Sequence, residues 1–175
     1  VVSLSTLQVV YQYRSNTVPP VMFAEKVCDV GWEFNTAKIL CESNNHGHVV
    51  IARLRDFKYR NLWMDAKGRD WTTTVKSKLD AFETLREFII AEIIETLDMT
   101  SLMELRSLTV EKVTPEAPKG LHDDMAMSLA LAYRCTRDVP RRVLRRAKEN
   151  MVDDFIRSRR VGRRRDNPIP WERNE

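Results

Sequence analysis

The chain has 175 residues, 43% hydrophobic and 31% charged, with a formal net charge of +4, which suits one ordinary globular domain able to bury a core. No apolar run approaches the ~18 residues that a membrane span needs. The opening Val1-Val2-Ser3-Leu4 also lacks the charged-then-apolar layout of a signal peptide, so a soluble intracellular protein with no membrane partner is expected.

Three cysteines, Cys28, Cys41 and Cys135, make an odd number without Cys-x-x-Cys spacing, which points to reduced thiols rather than a disulfide framework or a thiolate zinc site. The five glycines never fall into Gly-x-x-x-x-Gly-Lys or Gly-x-Gly-x-x-Gly, the loops whose amides cradle phosphates, and this disfavours a nucleotide-hydrolysing or dinucleotide-binding module. The charge is uneven: from Arg134 onward 14 Lys/Arg stand against 7 Asp/Glu, leaving 15 basic against 18 acidic residues before it. A basic tail on a mildly acidic body fits a polyanion partner, and it equally fits a solvated surface helix.

In chain order, residues 7–14 alternate, with Leu7, Val9, Tyr11 and Tyr13 on one face and Gln8, Gln12 and Arg14 on the other, as a half-buried strand requires. Pro19-Pro20 breaks this strand, and Val21, Phe23, Ala24, Val27, Cys28 and Val30 predict a helix over 21–33. Residues 36–42 form an apolar run ending in Glu42, followed by the turn cluster 43–47; a mostly buried central strand is expected. Val49, Val50, Ala52, Arg53 and Phe57 suit a helix, and residues 61–64 a further short strand, an order that favours α/β.

Residues 66–74 read as a loop, and 75–97 as the longest helix, with Phe82, Leu85, Ile89 and Ile93 three or four apart. A short helix at 102–106, a strand at 108–113 and a loop at 114–120 follow. Residues 123–134 then predict an Ala-rich helix whose Ala126 and Ala130 permit close packing on a sheet. Val139-Pro140 opens one more helix, with Leu144, Ala147, Met151 and Phe155 as its stripe and Arg141, Arg142, Arg145 and Arg146 on the other faces. The division is a body over 1–135 and a basic helical tail over 136–175.

Two acidic features bear on chemistry: Glu42 at the end of the central strand, and Asp123-Asp124 at the start of a helix just after His122. Active sites of open α/β sheets collect at the carboxyl ends of strands, and clustered carboxylate oxygens bind hard divalent cations such as Mg²⁺. The same Asp pair also suits helix capping and the helix dipole.

Four segments occur in order: Arg14-Ser15-Asn16-Thr17-Val18-Pro19-Pro20; Phe34-Asn35-Thr36-Ala37 leading into Glu42-Ser43-Asn44-Asn45-His46-Gly47; Trp71-Thr72-Thr73-Thr74-Val75-Lys76-Ser77-Lys78; and Gly120-Leu121-His122-Asp123-Asp124-Met125-Ala126-Met127-Ser128-Leu129-Ala130-Leu131-Ala132. Together, over residues 7–134, they resemble the nuclease domain of the large terminase subunit of tailed bacteriophages. The resemblance implies a ribonuclease-H-like mixed sheet flanked by helices. It also implies two Mg²⁺ or Mn²⁺ ions held by acidic residues, and cleavage of concatemeric double-stranded DNA during genome packaging.

Carried over by motif, Glu42 matches the acidic residue ending the central strand, and Asp123 and Asp124 the acidic pair opening the last core helix. Which Asp is the main ligand stays open, because helix neighbours point about 100° apart. His122 would orient a phosphate or a water, or simply hydrogen-bond beside the acids. Arg69, Lys76 and Lys78, with Arg141 and Arg145 on the tail, are candidate DNA phosphate contacts, against the alternative of solvated helix faces.

Cys41, His46 and His48 are weak as a zinc cluster. Trp32, Trp63 and Trp71 are expected in the core. The tail would track DNA or dock on a packaging protein such as the portal.

The family's first catalytic Asp lies on a strand upstream of residue 7, and no acidic residue precedes Glu25; the chain therefore reads as a C-terminal part lacking that strand and the ATPase half. The resemblance implies the upstream ATPase domain, small terminase subunit and portal protein as partners, and the host cytoplasm at the procapsid portal as the location. Two alternatives remain: a catalytically incomplete DNA-binding or portal-docking fragment, and another ribonuclease-H-like nuclease such as a resolvase.

Overall fold

The computed structural model describes residues 1–94, 97–110 and 113–139, so the expected tail helix with Arg141 and Arg145 lies outside the described residues. Five α-helices carry the described architecture: α1 (Pro20–Glu33), α2 (Gly47–Asp56), α3 (Val75–Ile90), α4 (Met99–Ser107) and α5 (Asp124–Thr136). Extended segments lie between them and meet at four isolated bridges. The continuous mixed sheet expected from the sequence is not formed among the described residues; its segments touch one residue pair at a time. No described helix is long and apolar enough to cross a membrane.

The local chemistry explains the helix starts. Pro20 opens α1 at a first-turn position, where its missing N–H costs nothing. Thr74 and Ser77 cap α3 reciprocally: the Ser77 amide donates to Thr74 Oγ1 at 3.3 Å and the Thr74 amide to Ser77 Oγ at 2.8 Å. Asp98 caps α4 by accepting from the amides of Thr100 and Ser101.

Two cores result. Ala24 and Cys28 of α1 pack on Val50 and Leu54 of α2 with Tyr59. Trp71, with Ala81, Phe82 and Leu85 of α3, packs on Ala126, Leu129, Ala130 and Tyr133 of α5. Ala126 and Ala130, expected to pack closely on a sheet, are fully buried against helix α3 instead, where Ala81 is buried with them.

Several expectations shift. The 7–14 strand pairs with residues 1–3 through a single antiparallel bridge, Val2 to Val9, closed by Val10 N–H donating to the Val1 carbonyl. In the expected 66–74 loop, buried Trp71 pairs in parallel with Glu42. Leu62 pairs in parallel with Ile39 earlier on the same edge, so the chain leaves that edge after Trp63 and rejoins it at Trp71. Glu116, expected in a loop, forms an antiparallel bridge with Thr109.

The predicted 75–97 helix stops at Ile90. Glu92 takes a left-handed φ of 53°, and Ile93 folds back to bury itself against Leu7 and Phe88. The apolar periodicity past Ile90 thus reports packing of a turn. Trp71 is in the core and Trp63 packs against it, but Trp32, on the outer side of α1, is 51% exposed.

Candidate acidic site

Glu42 ends the segment that pairs with both Leu62 and Trp71, and the residues after it are fastened to the 71–73 stretch. Ser43 N–H donates to the Trp71 carbonyl at 2.7 Å, and the Ser43 and Thr72 hydroxyls lie 2.9 Å apart. Asn44 meets the Thr73 backbone twice, its Nδ2 donating to the Thr73 carbonyl at 3.0 Å and its Oδ1 accepting from the Thr73 amide at 3.2 Å. A side-chain amide here continues the pairing that backbone began.

Gly47 completes the mount. A Cβ at this position would stand 1.6 Å from the Glu42 carbonyl oxygen; only glycine lets the start of α2 come this close. Glu42 is therefore half-buried on a fixed backbone. Its neighbour Cys41 directs Sγ toward the carbonyls of Glu42 and Gly47. Burial, reinforced by Asp70 and Glu42, pushes the Cys41 thiol up to about 11, and His46 and His48 are exposed.

The second acidic element is the start of α5. Asp123 occupies the N-cap position, yet its side chain makes no cap bond; its Oδ2 accepts from Lys78 Nζ at 3.0 Å instead. The capping is done from outside the helix. Glu104 of α4, 8% exposed, accepts through Oε2 from the amides of Met125 at 2.7 Å and Ala126 at 3.1 Å, and its Oε1 receives Arg14 at 3.2 Å.

A cleft of about 980 Å³ runs between the first residues, α1, the 37–42 stretch and α5, and both Glu42 and Asp124 line it. The structure thus brings Glu42 and Asp124 to one cleft, while Asp123 is engaged by Lys78. Among the described residues no three His, Cys, Asp or Glu side chains are gathered to hold a metal ion.

The remaining candidates are dispersed. His122 is exposed just before the acidic pair. Lys78, expected at a DNA phosphate, lies instead in the ion pair with Asp123 and over the Phe82 ring. Arg69 closes its own loop on Asp65 at 2.6 Å. Its hydrogen bonds hold the Asp65 carboxyl at about 2. Lys76 is exposed on the first turn of α3.

Sequence reasoning overlooks Glu104, because one acid in the polar and apolar mixture of 99–107 carries no signal of its own. No protein-family model and no curated protein matches the chain.

Proposed function

We propose that this chain is a divalent-metal-dependent endonuclease domain of the terminase large-subunit type, ribonuclease-H-like in plan, acting on double-stranded DNA. The observation that carries the reading is the shared cleft: Glu42, at the end of the 37–42 stretch, and Asp124, on the first turn of α5, both line it. The bland account of the Asp pair, that it caps its own helix, loses support because Glu104 does the capping.

Carboxylate oxygens suit Mg²⁺ or Mn²⁺, and Glu42 and Asp124 would hold such ions, with Asp123 joining on release from Lys78. When bound, the ions would supply Lewis-acid stabilisation of charge on the scissile phosphodiester. On this reading Lys76, exposed on the first turn of α3, would contact DNA phosphates, whereas Arg69 is already paired with Asp65 and His122 is exposed beside the acidic pair. By the same resemblance, the working partners are an upstream ATPase domain, a small terminase subunit and a portal protein, at the procapsid portal in a bacterial cytoplasm.

A second reading has its own observation. The Lys78–Asp123 pair neutralises one of the three acids, which favours a non-catalytic DNA-binding module. Supercoiled plasmid in Mn²⁺ separates the two. Nicking that disappears in Glu42→Ala and in Asp124→Ala, with DNA retention unchanged, supports the nuclease. Salt-sensitive retention without nicking supports the binding module, and the absence of both removes either reading.

A further inference from the structure

Helix α5 begins at Asp124, so Met125 and Ala126 supply the second and third free amides of its first turn. These are the donors that an N-cap side chain ordinarily accepts. Asp123, in the cap position with φ −121° and ψ 21°, makes no such bond. Glu104 takes both amides with one oxygen.

We propose that Glu104 is a positioning residue for the acidic pair: by capping α5 from α4, it frees the Asp123 carboxylate for Lys78 and keeps Asp124 turned to the cleft that Glu42 shares. This role rests on the nuclease reading of that cleft. Three facts support the assignment. Glu104 is buried, and a buried carboxylate is retained only with its lone pairs filled; two amides and Arg14 fill them. The helix dipole favours an anion at this terminus, and Glu104 supplies it. The Lys78 ammonium, 18% exposed, holds Asp123 at the alternative position.

Removing Glu104 bares the amides of Met125 and Ala126, the second of them buried, and Asp123, already in the cap position, would cover them only by leaving Lys78. The two side chains therefore exclude each other from the cap.

Hydrogen exchange at the Met125 and Ala126 amides of the whole chain reads this directly. Asp123→Ala alone is expected to leave their protection within about twofold of the unaltered chain. The same change in a Glu104→Ala background is expected to lower it at least tenfold, because no carboxylate then remains for the cap. Protection lost on Asp123→Ala alone overturns the proposal. Should Glu104→Ala fail to fold, the single Asp123→Ala result still decides.

Mn²⁺-dependent nicking supplies the functional half. Glu104→Ala is expected to lose about 10- to 100-fold, as when a residue supporting a metal ligand is removed, and Glu104→Gln, which keeps a carbonyl oxygen for both amides, to recover most of it. Equal loss in both, or no loss in either, overturns the positioning role. If the unaltered chain does not nick DNA while exchange follows the expected pattern, the nuclease reading fails and the capping assignment stands apart from it.

Discussion

Tyr133, fully buried in α5, donates its hydroxyl to the backbone carbonyl of Leu7 at 2.8 Å. Leu7 is itself buried and held at a left-handed φ of 58°, a conformation that a branched side chain adopts only when its surroundings impose it. The bond ties the N-terminal turn to the helix that carries the acidic pair. Tyr133→Phe removes the donor and leaves a buried carbonyl bare, which is expected to cost about 1–3 kcal/mol. Urea unfolding followed by circular dichroism measures it, and an unchanged midpoint contradicts it.

The same residue sets an alkaline limit. Burial pushes the Tyr133 hydroxyl up to about 12 from an ordinary 10, so the folded chain holds this proton more tightly than the unfolded chain. The stability it contributes is complete below pH 10 and is lost as pH rises toward 12. A thermal melt series from pH 9 to 12 is expected to show the fall, with a smaller slope in Tyr133→Phe.

Thiol chemistry gives an independent check. Burial pushes Cys41 and Cys135 up to about 11, Asp70 and Glu42 adding to it at Cys41; at Cys135 Lys38 and Arg134 oppose and Asp138 adds. Since the thiolate is the nucleophile, both are expected to alkylate at pH 8 about 100-fold more slowly than a free thiol. Iodoacetamide labelling read by mass spectrometry tests this, and rapid modification of Cys41 would contradict the packing beneath Glu42.

Gly47→Ala places a methyl group on the Glu42 carbonyl. The start of α2 or the end of the Glu42 strand must move, at a cost of about 1–3 kcal/mol. On the nuclease reading, plasmid nicking is expected to fall with it even at temperatures where the variant stays folded, because the carboxylate of Glu42 moves with its backbone.

Asn44→Asp removes the Nδ2 donor to Thr73 and sets a carboxylate against that carbonyl. A loss of about 1–3 kcal/mol is expected. Asn44→Ser, too short to bridge both groups, is expected to behave likewise in denaturant titration.

Much of this framework was legible in advance for local reasons. Pro19-Pro20, the turn at 43–47 and the alanines of 123–134 are signals written within one turn of the element they announce, and α1, α2 and α5 follow them closely. Glu42 and the Asp pair were nameable from their places at element ends within the ordered motifs, although acids at helix starts are common and carry little signal alone. What escaped depends on residues far apart in the chain. The pairing of Trp71 with Glu42, the halt of α3 where Ile93 finds Leu7, and the capping of α5 by Glu104 are settled by contacts that no local pattern encodes.

One edge of the molecule is interrupted and resumed. Leu62 and Trp71 pair with a common stretch, and the excursion between them closes on itself through Asp65 and Arg69. Trp63 and Trp71 meet edge-to-face at its base, 5.4 Å apart. The length of this detour is thereby uncoupled from the alignment of everything around it. A change of length within residues 66–68 would therefore fall on bonds internal to the detour, those of Lys67 and Gly68 to Asp65, and not on the pairing at its base.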